Sequence, residues 1–261
     1  MKASLKQGVF FRDLGQIEYR NAWDLQEKLL QENVQVKSEI RSRLTALESQ
    51  VAVGNGQLVD SHELAPMADL PSTSHYLLFV EHPPVYTLGK SGAIQNVLIS
   101  EEERAAKGIS FYNTNRGGDI TFHGREQLVG YPILDLEKFY TDIGKYLRNL
   151  EEVIIGTMAD YGLKGERSPG ETGVWLDAAV PGKERKICAM GIRCSRWITM
   201  HGFAFNVNTD LSYFDYIIPC GIQNKKVTSL QKELGLTLNM NEVKEKVKHH
   251  FERVFDVELV S

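Results

Sequence analysis

Between residues 75 and 136 the chain alternates short runs of β-branched and aromatic residues with glycine, proline and asparagine. Such punctuated runs are typical of strands, here 75–82, 85–89, 109–113, 119–123 and 128–136. Further strands are expected at 173–178, 186–195 and 201–209, and helical patterns cover about 17–47, 139–161 and 241–255. Strands clustered between helices predict an α+β fold, a mixed or antiparallel sheet with helical cover.

The segments around these elements favour one domain. The helix at 139–161 has Thr141 or Asp142 as its expected N-cap and Gly162 just past its end. Residues 51–71 contain glycines, prolines and few apolar repeats, which predicts a loop. No repeat or flexible linker divides the 261 residues, of which 42% are hydrophobic. We therefore predict a single domain over 1–261, with a helix and loop at about 17–71 before a core at about 75–235.

Charge, apolar runs and cysteine content exclude several classes of protein. The net charge of −4 argues against general nucleic-acid binding. Apolar runs such as 77–80 and 216–218 are too short to span a bilayer, and the first residues lack a secretory signal, so we expect no membrane association. Three cysteines form no disulfide framework. Free thiols in a reducing compartment predict a cytoplasmic protein.

One segment departs from the acidic balance. Between 181 and 197 a single acid, Glu184, accompanies five cations, which are Lys183, Arg185, Lys186, Arg193 and Arg196. Such a stretch could attract an anionic partner. It could equally be a solvated strand edge that lysine and arginine protect from aggregation.

Cys220 is the strongest candidate for a reactive group. It lies in "IIPCGI", where the flanking proline and glycine predict a tight turn with an accessible thiol, whereas Cys188 lies inside the apolar run "KICAMGI" and is expected to be buried. A thiol attacks as the thiolate, and its ordinary pKa near 8.5 leaves little thiolate at neutral pH. Lys186 opens a largely apolar strand and is a candidate for the nearby cation that lowers this pKa, although most such lysines are surface residues.

The histidines allow three interpretations. His123 lies in "GDITFHGREQ", just after the turn Arg116-Gly117-Gly118, and His201 lies in "TMHGFAFN". Either could be a base for Cys220, a metal ligand, or a hydrogen-bonded structural residue. Metal binding is the weakest, because Cys188 and Cys194 have five residues between them and no Cys-x-x-Cys pair exists. His82 in "EHPPVY" is expected to order a turn.

Five ordered blocks resemble the octanoyl-[acyl carrier protein]:protein N-octanoyltransferases, also called the lipoate-protein ligase B family. They are "EHPPVYTLGK" at 81–90, "RGGDITFHG" at 116–124 with "QLVGYPILDL" at 127–136, "KICAMGIRCSRWITMHGFAFNVNTDLSYF" at 186–214, "PCGI" at 219–222 and "VTSL" at 227–230. The resemblance spans most of 81–230. It implies the biotin and lipoate protein ligase catalytic-domain fold, related to class II aminoacyl-tRNA synthetases.

The resemblance also implies a two-step acyl transfer without metal or cofactor. In that family the residue matching Cys220 takes the octanoyl group as a thioester, and the residue matching Lys186 lowers the pKa of that thiol. Exchange of thioesters is nearly isoenergetic and amide formation is downhill, so ATP should be unnecessary. The acyl-binding segments match Arg116, Gly117, Gly118, Asp119, Ile120, Thr121, Phe122 and His123, then Ala189, Met190 and Gly191, and then Gly202, Phe203 and Ala204. Small residues there suit an apolar chain lying against a sheet, with backbone amides near its carbonyl.

The implied partners are octanoyl-acyl carrier protein as donor and, as acceptors, lipoyl domains of 2-oxoacid dehydrogenase complexes and the glycine cleavage H protein. Both kinds are acidic carrier domains in that family, so the segment 183–196 becomes a candidate docking strip. One loop departs from the family pattern, since Gly124-Arg125-Glu126-Gln127 stands where the family usually has Gly-Pro-Gly-Gln. We interpret His123 as a wall or polar guide of the acyl pocket and not as the principal base.

Three alternatives stay open on the sequence alone. An ATP-dependent lipoate or biotin protein ligase on the same fold would not need Cys220. A cysteine hydrolase would release free octanoate from the acyl-enzyme. A non-catalytic carrier-protein-binding module would never become acylated, which the joint presence of "PCGI" and Lys186 disfavours.

Overall fold

The computed structural model describes residues 6–53, 70–219 and 226–261, with side chains in the first range described up to residue 46. Cys220, the predicted nucleophile, lies outside the described residues, as does most of the predicted loop at 51–71. None of the described helices combines the length and the apolar character that crossing a membrane requires.

A large mixed sheet forms the centre of the fold, in the order β10-β8-β9-β6-β2-β1-β11, with β7 paired to β8. Parallel pairs join β1 to β2, β1 to β11 and β10 to β8, and the other pairs are antiparallel. The strands are β1 Gln7–Gln16, β2 Tyr76–Glu81, β6 Gln127–Ile133, β7 Val174–Leu176, β8 Arg185–Ser195, β9 Ile198–Asn206, β10 Lys226–Val227 and β11 Val257–Val260.

A second sheet of three strands, in the order β4-β3-β5, carries the glycine-rich motif at one end. Its strands are β3 Val85–Leu88, β4 Ser110–Asn113 and β5 Ile120–His123. The turn 116–118 enters β5, and β5 leads through a short turn into β6 of the large sheet. The two sheets are therefore linked directly beside the motif.

Helices cover both faces of the large sheet because each has one apolar side. Leu150, Val153 and Ile154 of α3 pack with Val247 and Phe251 of α5 in one buried cluster. On the opposite face Ala22, Leu29 and Leu30 of α1 pack with residues of β2, β6 and β9. The helices are α1 Tyr19–Val53, α2 Glu101–Ala106, α3 Ile143–Ala159, α4 Leu230–Leu234 and α5 Met240–Phe255.

This architecture confirms the predicted α+β class, and Asp142 is the N-cap of α3, accepting from the Lys145 backbone N–H at 2.9 Å. The predicted loop at 51–71 is wrong for its first residues, because α1 continues to Val53. The pattern also missed β1, α2 and β11. The chain reverses between β8 and β9 at Arg196 and Trp197, which both have positive φ as a type I′ hairpin turn requires. Neither residue is the usual Asn or Gly of such a turn, so the sequence pattern did not indicate it. β9 begins at Ile198, three residues before the predicted strand at 201–209.

The loop that departs from the family pattern forms a tight turn between β5 and β6. The backbone N–H of Gln127 donates to Gly124 O at 3.4 Å, and Glu126 has φ of +55°. A positive φ at the third position alone is the pattern of a type II turn, which suits Pro-Gly at the two central positions. Glu126 is held there because its N–H donates to Glu81 Oε2 at 2.8 Å and its carbonyl accepts from Asn208 N at 3.1 Å.

Replacing Glu126 by Gly and, separately, by Ala tests this turn. Both substitutions remove the same side-chain contacts, but only Gly adopts positive φ without steric cost. We expect the Gly variant to have a free energy of unfolding higher than the Ala variant by about 1 kcal/mol in chemical denaturation. Equal stability of the two variants would contradict a left-handed residue at position 126.

Candidate active site

A cavity of about 430 Å³ lies where the glycine-rich turn of the small sheet meets β8 and β9. Its volume is within the range of sites that enclose small molecules. Among the described residues that line it, the formally charged ones are Arg116, Asp119, Glu171 and Lys186. The cavity is also lined by Tyr19, Gln127, Tyr131, Ile192, His201, Asn206, Pro219 and Val227.

All but one of the predicted acyl-binding residues line this cavity. They are Arg116, Gly117, Gly118, Asp119, Ile120, Thr121, His123, Ala189, Met190, Gly191, Gly202, Phe203 and Ala204. Phe122 is the exception. Its ring stacks on Tyr213 with centroids 4.7 Å apart and packs against Phe214 in a separate buried cluster. The binding role of the lining residues stays a prediction.

Glycines allow the turn at 116–118 to approach β8 closely. The Gly117 N–H donates to Ile192 O at 2.9 Å, and a Cβ on Gly191 would lie 2.8 Å from Gly117 O. Gly118 has φ of +85°, which glycine adopts without cost. Any larger residue at 191 would push the turn away from the strand. The two glycine-containing motifs therefore form one continuous wall.

Arg116 braces this wall from inside. It is only 7% exposed, and its Nη2 donates to the backbone carbonyl of Thr87 at 2.6 Å and to Thr87 Oγ1 at 2.9 Å, while Nη1 donates to Gly117 O at 3.0 Å. A buried guanidinium needs such acceptors to offset its desolvation. Arg116 thereby joins the turn to the end of β3.

His123 lies in a wall of the cavity as a neutral ring. Gln127 donates through Nε2 to Phe122 O and Asn206 Oδ1, at 3.1 and 2.9 Å, so its Oε1 accepts from His123 Nδ1 at 2.9 Å. This amide orientation places the His123 proton on Nδ1, and Nε2 faces Thr87 Oγ1 at 3.4 Å. Burial, with a contribution from neighbouring His82, holds the pKa of His123 well below its usual value.

The other two histidines of the sequence analysis are also buried and neutral. His82 bonds Ile17 O at 2.9 Å and Tyr131 Oη at 2.8 Å, and burial lowers its pKa to about 4. His201 Nε2 lies 2.8 Å from Asn115 Oδ1, and burial lowers its pKa to about 3. In the described ranges no three His, Cys, Asp or Glu side chains converge as metal ligands would. These contacts favour the structural interpretation of both residues.

Lys186 lines the cavity from β8, between the neighbouring strands β7 and β10. It is 9% exposed, and its Nζ is 4.5 Å from the centroid of the Trp175 ring. It pairs with Trp175 of β7 and with Val227 of β10, and its carbonyl accepts from Thr228 N at 2.9 Å. Pro219, which directly precedes Cys220, lines the same cavity. The predicted cation and the chain next to the predicted nucleophile thus share one cavity.

The two cysteines that the structure describes differ from an activated thiol. Cys188 is fully buried in the core, as predicted, and burial raises its pKa. Cys194 is half-buried, and burial raises its pKa as well. Both thiols are therefore protonated at neutral pH.

Two cations of the basic segment are held in ion pairs within the protein. Arg185 pairs with Glu233, Nε to Oε1 at 2.7 Å, and also with Asp177. Arg193 pairs with Glu27 of α1 at 2.8 Å, and Lys186 faces the cavity. Acids of α1, of α4 and of the loop after β7 therefore neutralise two of the five cations, and docking along 183–196 stays a prediction.

Several cavity residues escaped the sequence analysis. Tyr19 comes from the first turn of α1, and its buried hydroxyl has no hydrogen-bond partner among the described residues; burial raises its pKa to about 12. Tyr131, Gln127 and Asn206 come from β6 and β9. The available signal for the last two was a polar amide at the end of an otherwise apolar strand, because buried amides require hydrogen-bond partners.

Comparison with known proteins agrees with the fold and with the motifs. Residues 18–252 match the family Lipoyl protein ligase A/B catalytic domain. The chain is 54% identical over 256 residues to the octanoyltransferase of Christiangramia forsetii. This alignment covers 98% of this chain and 99% of that protein. It is 53% identical over 257 residues to the octanoyltransferase of Flavobacterium johnsoniae, with 98% and 100% covered.

Solved structures show the same fold at low sequence identity. The chain matches, with a TM-score of 0.61 at 14% identity, a structure of an archaeal lipoylation system, a bi-partite lipoate protein ligase and its E2 lipoyl domain from Thermoplasma acidophilum. The match covers 99% of this chain and 87% of that chain. Lipoate-protein ligase A bound with ATP matches with a TM-score of 0.59 at 14% identity, covering 99% and 88%. The resemblance inferred from the motifs is confirmed: the chain belongs to the lipoyl protein ligase A/B catalytic-domain family and, within it, to the octanoyltransferases.

Proposed function

We propose that this chain moves an octanoyl group from octanoyl-acyl carrier protein to a lysine of a lipoyl domain, through a thioester on Cys220. Membership of the octanoyltransferase family makes it an acyltransferase, and that family acts on acyl carriers and lipoyl domains in general. The observation that carries the proposal is the shared cavity, which brings Lys186, Pro219 and the glycine-rich wall together. We propose that the whole chain works as one catalytic domain.

The first step is thioester exchange. The Cys220 thiolate attacks the octanoyl carbonyl, the new carbon–sulfur bond forms, and the carrier leaves as its own thiolate. Lys186 lowers the pKa of Cys220 because an ammonium in a poorly solvated cavity favours the anionic sulfur. Backbone N–H groups of the cavity wall stabilise the oxygen anion of the tetrahedral intermediate.

The second step forms the amide. The ε-amine of the acceptor lysine attacks the thioester carbonyl, the Cys220 thiolate leaves, and the amine loses a proton to solvent. An amide is more stable than a thioester, so the transfer needs no nucleotide. The acceptors that fit the resemblance are lipoyl domains of 2-oxoacid dehydrogenase complexes and the glycine cleavage H protein. A nucleophilic thiol must stay reduced, which suits the cytoplasm.

Intact-mass analysis tests the acyl-enzyme. After incubation with octanoyl-acyl carrier protein, the protein should gain one octanoyl group that hydroxylamine removes, as it does from thioesters. Cys220→Ala and Cys220→Ser should lose the hydroxylamine-sensitive label, while Cys194→Ala, which removes a half-buried thiol, should keep it. Transfer by Cys220→Ala with octanoate, ATP and apo-lipoyl domain would instead support an ATP-dependent ligase. Release of free octanoate as fast as transfer would support a hydrolase, and a protein that binds but never gains mass would be a non-catalytic module.

Replacing Lys186 by Met tests the activation of the thiol, since Met keeps an apolar stem beside Trp175 but removes the charge. Loss of the cation should raise the pKa of Cys220 by about one to two units, so the acylation rate at neutral pH should fall about 10- to 100-fold. The difference should shrink as the pH rises above the ordinary thiol value. Lys183→Met, at an exposed position of the same segment, is the control. A deficit of the same size at every pH would mean that Lys186 does not act on thiol ionisation.

Replacing Ala189 by Leu tests whether the cavity holds the acyl chain. Ala189 is half-buried and lines the cavity, so the larger side chain should occupy room that the distal methylenes need. Each buried methylene contributes about 0.8 kcal/mol, and loss of two should slow octanoyl transfer at least about tenfold. The rate of transfer from a butanoyl donor should fall less. The control Ala179→Leu, at an exposed position, should change neither transfer rate. An equal loss for both donors would place the acyl chain elsewhere.

A further inference from the structure

We propose that Asn206 is a positioning residue for Lys186 and acts through the backbone of Thr228. The proposal rests on the function proposed above, in which Lys186 activates a thiol. Asn206 is the last residue of β9, is 4% exposed and lines the cavity. Its amide has a partner on each side, which fixes the direction in which it can donate.

The first link runs from the small sheet to Asn206. His123 Nδ1 donates to Gln127 Oε1, and Gln127 Nε2 donates to Asn206 Oδ1, each at 2.9 Å. Because Asn206 accepts at Oδ1, its Nδ2 group is directed away from Gln127. A buried amide in this position has one fixed orientation.

The second link runs from Asn206 to Lys186. Asn206 Nδ2 donates to Thr228 O at 2.9 Å, and Thr228 N donates to Lys186 O at 2.9 Å. Thr228 Oγ1 also donates to Glu233 Oε1 at 2.5 Å, and Glu233 pairs with Arg185. Thr228 is thus held on three sides and is fully buried.

The strand that needs this support is β10. In the described part of the chain it has two residues, which pair in parallel with Arg185 and Lys186. Such a short pairing contributes little by itself, so side-chain anchors must hold it. Asn206 supplies one anchor from β9, across β8, directly where β10 ends. Lys186 therefore depends on Asn206 for the position of its backbone.

Other ionisable groups surround this part of the cavity. Glu171 also lines it, Glu233 and Arg185 form an ion pair of α4 and β8, and Lys226 begins β10. His123 is neutral, so the relay carries no charge to Lys186. Asn206→Ala removes hydrogen bonds and leaves every one of these charges in place, and any change in thiol ionisation then reflects geometry.

The experiment measures alkylation of Cys220 by iodoacetamide against pH, with peptide-resolved mass spectrometry to separate it from Cys188 and Cys194. In Asn206→Ala the midpoint of the profile should move up by about one unit, because a displaced Lys186 would favour the thiolate less. The rate of acylation at neutral pH should fall by a factor on the order of 10 to 100, because small misplacements of catalytic groups cause rate losses of this size.

Asn208→Ala is the matched control. Asn208 is two residues further on, is 6% exposed and exchanges two hydrogen bonds of 2.9 Å with Leu238, but it has no bond to Thr228. The Asn208→Ala variant should lose about as much thermal stability as Asn206→Ala, but its alkylation profile should keep the midpoint of the unaltered protein. Asn206→Ser, which shortens the side chain by one bond, takes the place of the Ala variant if that variant fails to fold.

The outcomes separate this inference from the proposed function. If Asn206→Ala and Asn208→Ala have the same alkylation midpoint as the unaltered protein, Asn206 is only structural and the inference is overturned. If the midpoint moves with Asn206 alone although octanoyl-acyl carrier protein never labels Cys220, the positioning role stands and the acyl-transfer function fails.

Discussion

The close contact between the turn at 116–118 and β8 organises the candidate site. It requires glycine at 191, because a Cβ there would lie 2.8 Å from Gly117 O, and it requires a φ of +85° at Gly118, which glycine adopts without cost. The approach places the small sheet against the large one and leaves a cavity beside the contact. Arg116 fixes the turn by donating to Thr87 O and Thr87 Oγ1 on β3. The buried guanidinium of Arg116 and the glycines at 118 and 191 thus define the wall of the cavity.

The histidines around this wall are hydrogen-bonded and add no charge. His82 and His201 have pKa values lowered by burial to about 4 and about 3, and each has a hydrogen-bond partner. Neutral rings can be buried at much lower cost than imidazolium ions. The charge in this cavity that the proposed function uses is that of Lys186, which pairs with Val227 of β10.

Local sequence patterns predicted those parts of the fold whose residues carry their own signals. The strands of the small sheet, α3 with its Asp142 cap and the buried position of Cys188 follow from alternation, capping and apolar context. β1 and β11 were missed because each is stabilised by a parallel partner far away in the chain, Gln7–Phe10 pairing with Val257–Val260. No local pattern encodes such a pairing. Tyr19 reaches the cavity for the same kind of reason, through the packing of α1 over the sheet.

The β5–β6 turn shows that this fold needs a backbone shape more than particular residues. The family pattern Pro-Gly supplies a rigid residue followed by one that accepts positive φ, whereas here Arg125 and Glu126 occupy these positions. Glu126 nevertheless adopts φ of +55°, since Glu81, Asn208 and Thr209 bond its backbone. The left-handed conformation costs about 1 kcal/mol, which hydrogen bonds from three residues of two other segments can offset. The turn therefore keeps Gln127 in register with Asn206, and the hydrogen-bond relay from His123 to Thr228 survives the change in sequence.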